Sequence, residues 1–413
     1  FVGSDEQSAH NVHDTVETFI DDAHRAWMAS SSRYGLIWDG AVVQRFAAES
    51  RHTYRMLTQR GVRFTRLMSR PGHTVDRLLA VEDPAMFAHA FAADFASPRV
   101  HTIFGARAGR LHHDGGRVAG VRAHRNDGTT VTVHARHGVV LATGGYQANP
   151  TLRVRYQPES TANSPYLGLD TCRGDGHTIG AAVGADLVNM TFLPPMVIVA
   201  STVAENAIAI NTAGTRFHDE TAPFGERVTR LRAQPGRSAW YLLDSVAAHT
   251  HARLIDEMPY PPVRAETVAD LATSLGIPGD VLAGTVARWN AFLANTSDTD
   301  PDFGRRALPR RRHGLTTPPF TAVAMVEGVN FSCGGFRTTT HMQVIDNLGT
   351  PIAGLYSAGD TTSGLNAAAD LTGLHIAGAL TMGRVAGHAA AHAIHDTNNH
   401  GSPLDHLAIP HAS

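Results

Sequence analysis

The stretch GVVLATGGY, residues 138–146, reads as a strand that runs straight into a glycine turn. Val139, Val140 and Leu141 show no polar alternation, which describes a strand covered on both faces, as in a parallel sheet. Open α/β sheets bind ligands beyond the carboxyl ends of such strands. The bare backbone of Gly144 and Gly145 lets a phosphate or polyol chain come close. Paired glycines after a strand also arise from packing alone, so the motif has to be read with its neighbours.

Two later motifs repeat its logic. GLYSAGD, residues 354–360, is an apolar strand, a small-residue turn and an acid. Asp360 there either accepts hydrogen bonds from a polyol or serves as the N-cap of the next helical turn. GLHIAGALTMGRVAG, residues 373–387, opens a helix at Gly373 and keeps small residues along it. Its free N–H groups and partial positive charge suit an electron-rich ring edge, with close helix packing as the competing reason. GDGHTIGAAVGADL, residues 174–187, is a loop that opens another helix.

Outside these motifs, residues 11–60 have helical periodicity. In AVVQRFAAESRHTYRML the positions Val43, Phe46, Ala47, Ser50, Tyr54 and Leu57 recur on one face, and Gly61 stands where a C-cap belongs. Val118, Val121, Val131 and Val133, punctuated by HDGG and NDG, predict a short antiparallel meander. A middle segment, 196–328, is richer in Arg and Pro, with helices predicted over ETVADLATSLG and GDVLAGTVARWNAFLAN. The run RRALPRRRHG, residues 305–314, reads as an exposed, solvated connection.

Composition excludes several classes. At 413 residues, 43% hydrophobic and 17% charged, the chain is an ordinary globular protein with room for two or three cores. A net charge of −2 gives no reason to expect nucleic acid or an anionic membrane as partner. All 35 basic residues are Arg, so no Schiff-base lysine can come from this chain. Cys172 and Cys333 are too few for a disulfide framework or a metal cluster. The longest apolar stretch, 192–210, is broken by Pro194, Pro195, Glu205 and Asn206, too polar to span a bilayer. A cytoplasmic location is the expectation.

Taken in series, ATGG at Ala142–Gly145, GDG at Gly174–Gly176 with Gly184–Ala185, NTAGTRFHDE at Asn211–Glu220, Gly354–Asp360 and Gly373–Gly387 resemble the flavoproteins of the fumarate reductase/succinate dehydrogenase superfamily. The resemblance runs from about residue 10 to about 395. It implies an α/β fold: a Rossmann-like FAD-binding domain with a small antiparallel meander, interrupted by an α+β cap domain. The first part of that domain would span 1–195, the cap 196–328, the second part 329–395, and a frayed tail 396–413. FAD, held noncovalently, would contact Ala108 beside the adenine, then Ala142, Thr143, Gly144, Gly145, Gly359 and Asp360. Gly373, Leu374 and Ile376 would lie beside the isoalloxazine. Family members normally begin with a GxGxxG unit, and no GxGxxG occurs in this chain. We expect that unit to precede residue 1, because losing it would expose a strand edge and apolar helix faces.

The substrate positions depart from those of fumarate reductases. Met196 and Val197 stand at the family's His-Pro pair, Phe224 at its proton-donating Arg, Asn330–Gly335 (NFSCGG) at its HHTMGG, and Asp370 at its second carboxylate-binding Arg. Desolvated dicarboxylates need such a cationic clamp. The segment TRLRAQPGRSAWYLLD is nearer the tricarballylate-dehydrogenase-like branch, and the last helix has the spacing of ketosteroid-dehydrogenase-like members. The expectation is hydride transfer between flavin N5 and a CH–CH or C=C group of a fairly apolar, non-dicarboxylate substrate, with an unidentified electron partner. The proton-handling and orienting groups implied are Asp370 first, then His218, Glu220, Arg227, Asn330, Ser332, Thr372 and His375. Two other readings stay open: a degenerate flavoprotein fold with a non-redox role, and an FAD oxidase.

Overall fold

The computed structural model describes residues 1–393 apart from 71, 158–161, 167, 200, 296, 307, 310, 311, 313, 369 and 370. Asp370 and the tail at 396–413 therefore lie outside the described residues. The chain divides into two compact units. Unit 1 holds residues 1–162, 169–193 and 331 onward; unit 2 holds 163–168 and 194–330.

The first long helices of unit 1 are α1 (Val16–Tyr34) and α2 (Gly40–Gln59). Thr15 caps α1 by accepting from the Thr18 N–H, and Asp39 caps α2 by accepting from Val42. Gly61 follows α2 with φ +89°, and the Val62 N–H turns back to the Leu57 carbonyl. Further along the chain lie three antiparallel strands, β1 (Ala106–Asp114), β2 (Arg117–Arg125) and β3 (Thr130–His134), in the order β1-β2-β3. Strand β4 (Val139–Leu141) enters the first glycine turn, and α3 (Asp175–Ala181) begins after Gly174.

Unit 2 centres on an antiparallel sheet of β5 (Ile208–Asn211), β6 (Ala239–Leu243), β7 (Val263–Ala265) and β8 (Phe320–Ala324), in the order β7-β8-β6-β5. Alternation sends its side chains to two cores. Ala209, Tyr241, Leu243 and Val323 pack with Val228 and Leu231 of α4 (Phe224–Arg232). Ile208, Ile210, Leu242 and Ala322 pack with Leu282, Val286 and Trp289 of α5 (Gly279–Ala294).

The chain returns to unit 1 through β9 (Gln343–Ile345), β10 (Pro351–Ser357) and α6 (Leu374–His392). Strand β10 pairs antiparallel with β9 and parallel with β4, so β4 forms one edge of this three-stranded sheet. Helix α6 buries Met382, Val385 and Ala386 against Phe19 of α1 and Val43 and Phe46 of α2. Two expectations are corrected. Strand β4 is not covered on both faces: Leu141 is buried, but Val140, which points to the opposite face, is 36% exposed. The run at 305–314 is not wholly solvated either, since Arg305 is fully buried as the partner of a buried carboxylate. Among the described residues no helix is long and apolar enough to cross a membrane.

Candidate active site

Parallel pairing places the ends of β4 and β10 side by side, with Leu141 opposite Ser357. The two glycine turns therefore leave the sheet at one edge, and Thr361 ties them together. Its Oγ1 accepts from the Thr143 N–H at 3.1 Å and donates to the Gly144 carbonyl at 3.1 Å. The Thr143 Oγ1 in turn accepts from the Gly176 N–H at 3.1 Å, which brings the first turn of α3 to the same place. Arg107, next to Ala108 on β1, bonds Asp175 at 2.6 and 2.8 Å and joins the meander to α3. Ala142 is exposed, Thr143 and Gly144 are half-buried, and Gly145 faces inward. A Cβ on Gly145 would come within 2.2 Å of the Ser332 Oγ and the Gln147 Oε1. Ser332 spends its hydroxyl there, accepting from the Tyr146 N–H at 3.2 Å and donating to Gln147 at 3.1 Å.

The second cluster surrounds the start of α6. Gly373 holds φ +88°, a left-handed conformation open to glycine, and sets the helix N-terminus. Leu374 is buried, whereas Ile376 on the same turn is 59% exposed. His375 meets Asp360: Nδ1 lies 2.7 Å from Oδ1. A carboxylate only accepts, so Nδ1 carries the proton and Nε2 of the neutral ring is a lone pair. That Nε2 is buried without a partner among the described residues, and the Phe331 ring lies 4.2 Å from the imidazole. Behind this turn the Thr372 carbonyl accepts from His73 Nε2 at 3.2 Å. Arg77 fixes that tautomer by donating to His73 Nδ1 at 2.8 Å, while Asp14 (2.7 Å) and Asp22 (2.9 Å) hold the guanidinium. Burial and the Arg77 charge push the His73 pKa down to about 4.

In unit 2, Glu220 is fully buried with both oxygens occupied. Oε1 accepts from the Ala209 N–H at 2.8 Å and Arg216 Nε at 3.0 Å; Oε2 accepts from Arg216 at 2.9 Å and Arg305 at 2.7 Å. Burial alone would raise its pKa, but Arg305 and Arg216 overrule it and hold the carboxyl at about 2. His218 donates from Nδ1 to the Asp219 carbonyl at 2.6 Å, and burial lowers its pKa. Its Nε2, and Nε and Nη1 of Arg227, have no hydrogen-bond partner among the described residues. The Arg227 guanidinium stacks over Phe224 at 4.6 Å. Asn330 is exposed.

A model of the family described as FAD binding domain matches residues 4–376. The chain belongs to this family. It is 32% identical to the NADH:acrylate oxidoreductase of Vibrio harveyi over 315 residues, which are 70% of this chain and 30% of that protein. It is 28% identical to the probable fumarate reductase Ifc3 of Shewanella frigidimarina over 95% of this chain and 67% of the relative. The open conformation of a flavocytochrome c3 fumarate reductase superposes with a TM-score of 0.74 at 28% identity, over 95% of this chain and 70% of that one. The chain thus spans from about a third to two thirds of the length of these relatives.

The residues of unit 1 fit the flavin end of the family's cofactor. Two glycine turns share one sheet edge, an exposed Ile376 offers an apolar face beside a helix N-terminus, and Asp360 and His375 offer polar atoms. The structure brings together Thr143, Gly144 and Thr361 in one cluster and Asp360 and His375 in another. It turns Gly145 and Ser332 inward and commits both Glu220 oxygens to cations and a backbone N–H. Sequence reasoning missed Thr361, His73, Arg77 and Arg305. Thr361 directly follows the Asp360 that was singled out, so a turn-capping hydroxyl was there to be found. Arg77 had no local signal, because Asp14 lies 63 positions away.

Proposed function

We propose that the protein is an FAD-dependent oxidoreductase acting on a CH–CH or C=C group next to an activating substituent, with FAD bound noncovalently. The observation that carries this reading is the convergence of the β4 and β10 turns, tied through Thr361, in a member of an FAD-binding family. Bound there, FAD supplies hydride chemistry at N5. The backbone of Ala142, Thr143 and Gly144, with Gly359 and Asp360, holds the polyol chain. Gly373, Leu374 and Ile376 present the α6 N-terminus to the electron-rich pyrimidine edge, and Ala108 lies by the adenine. In this reading unit 1 is the Rossmann-like domain and unit 2 the cap, and the location is cytoplasmic.

Arg227 and His218 keep uncommitted nitrogen atoms for orienting substrate, and Asp370 keeps the proton-accepting role. Thr372 and Asn330 are supporting contacts, whereas Glu220 and Ser332 act as structural supports. A fairly apolar, non-dicarboxylate substrate is supported by Phe224 where fumarate reductases carry an Arg, and by Met196 and Val197 at their His-Pro pair. The test is oxidation of the photoreduced, FAD-loaded protein by 2-cyclohexenone and by fumarate. The neutral enone should reoxidise the flavin, and millimolar fumarate should neither react nor shift the spectrum. Saturable fumarate reduction would show that the substrate reading is wrong, and inertness toward both would favour the non-redox alternative.

A further inference from the structure

Asp360 and His375 come from different elements, the turn after β10 and the first turn of α6, yet they meet at 2.7 Å. The remaining contact to that oxygen is long: Asn366 Nδ2 reaches Oδ1 at 3.4 Å. Among the described residues His375 is the principal donor to Asp360, and none of them bonds Oδ2. A carboxylate on Nδ1 fixes the tautomer and leaves Nε2 as the ring's accepting nitrogen. That nitrogen, Nε2, is buried without a partner among the described residues, although an unsatisfied polar atom in such a place is costly. His375 stands between Leu374 and Ile376, and Phe331 packs on its ring.

We propose that Asp360–His375 is a proton-linked electrostatic device for the bound flavin: Nε2 takes up one proton when the flavin is reduced and gives it back on oxidation. The inference rests on the reading that Gly373–Ile376 flank the isoalloxazine. Two-electron reduction of FAD with one proton leaves an anionic hydroquinone whose charge is centred on the pyrimidine edge. The balanced change is FAD plus two electrons plus two protons, one proton going to flavin N5 and the other to His375 Nε2. The resulting imidazolium, braced by Asp360, faces the new negative charge as a donor.

The other groups near the pair do not substitute for it. His177 of α3, which feels the Asp360 charge, is kept neutral by burial, with a pKa lowered to about 4. His73 has both nitrogens engaged, by Arg77 and by the Thr372 carbonyl. Arg77 and Arg25 together balance the charges of Asp14 and Asp22. Asp370 lies outside the described residues.

The experiment is spectroelectrochemical titration of the FAD-loaded protein, with a low-potential dye as reductant, at pH values from about 5.5 to 8.5. The wild type should take up two protons per electron pair over part of this range, a slope near 59 mV per pH unit, while the reduced flavin keeps the spectrum of the anionic hydroquinone. His375→Gln should show the one-proton slope near 30 mV per pH unit throughout, and His375→Arg should restore the higher potential without the extra proton. A one-proton slope in the wild type overturns the proposal without any variant. So does a neutral hydroquinone spectrum, which would place the second proton on the flavin, or an unchanged slope in His375→Gln. If Asp370→Asn rather than His375→Gln removes the second proton, the assignment moves to Asp370 and this proposal fails. A protein that takes up no FAD overturns the function reading and this inference together, whereas FAD uptake with a one-proton slope overturns the inference alone.

Discussion

Glu220 and Asp360 are both acids in glycine-bearing motifs, and the structure treats them in opposite ways. Glu220 of unit 2 is sealed, its two oxygens filled by Arg216, Arg305 and the Ala209 N–H. Trp289 lies 4.5 Å from the Arg216 guanidinium and 5.1 Å from that of Arg305. Asp360 of unit 1 is partly open, with one strong donor and an imidazole whose buried Nε2 has no partner among the described residues. A closed set of hydrogen bonds holds a fold, and an incomplete one awaits a ligand or a proton. Residue type and motif position do not separate these cases; the state of the second oxygen or nitrogen does.

The largest expected effect comes from breaking the sealed set. Glu220→Gln keeps the shape but leaves Arg305 and Arg216 buried against a neutral amide, and removing one partner of a buried ion pair costs about 3–5 kcal/mol. Urea unfolding should register that loss, and a change below about 1 kcal/mol would show that Glu220 is not the anchor described here. Next is acid sensitivity. His177 is buried, stacks on Phe336, and has its pKa lowered from 6.5 to about 4, chiefly by burial. Between those values the unfolded chain binds a proton that the folded chain refuses, so stability is full above pH 6.5 and falls as pH drops toward 4. At about 1.4 kcal/mol per pKa unit the loss is at most about 3 kcal/mol. Urea melts at several pH values should show it, and His177→Asn should flatten that part of the profile. A smaller effect belongs to the open region. Thr361→Val strands the Thr143 N–H and the Gly144 carbonyl, at about 1–3 kcal/mol. Because those groups shape the turn, FAD occupancy should fall as well. Unchanged occupancy, measured by absorbance after gel filtration, would mean that the turn does not depend on Thr361.

The features legible in the sequence were those written in local chemistry. Helices α1, α2, α5 and α6, the meander strands with Gly115 and Gly116 at the turn, and the two strand-to-glycine turns all announce themselves within about ten residues. Pairings over long separations were not legible. Arg305 looked like one more solvated charge, because its partner Glu220 lies 85 positions away. Asp360 and His375 were each singled out, but their contact depends on how α6 docks on α1 and α2, which no local pattern encodes. Val140 misled for a related reason: an apolar strand looks the same in sequence whether one face or both are covered by packing.

The proposed activity depends on the β4 and β10 turns and the α6 N-terminus holding a flavin. The most direct measurement is a titration of the protein, isolated from its native source and stripped of cofactor, with FAD. It is followed by flavin fluorescence and by the chromophore released on acid precipitation. Saturable uptake of one FAD per chain is expected, all of it released by acid into the supernatant. A colourless protein that takes up no added FAD would contradict it, and so would a chromophore that stays with the precipitate.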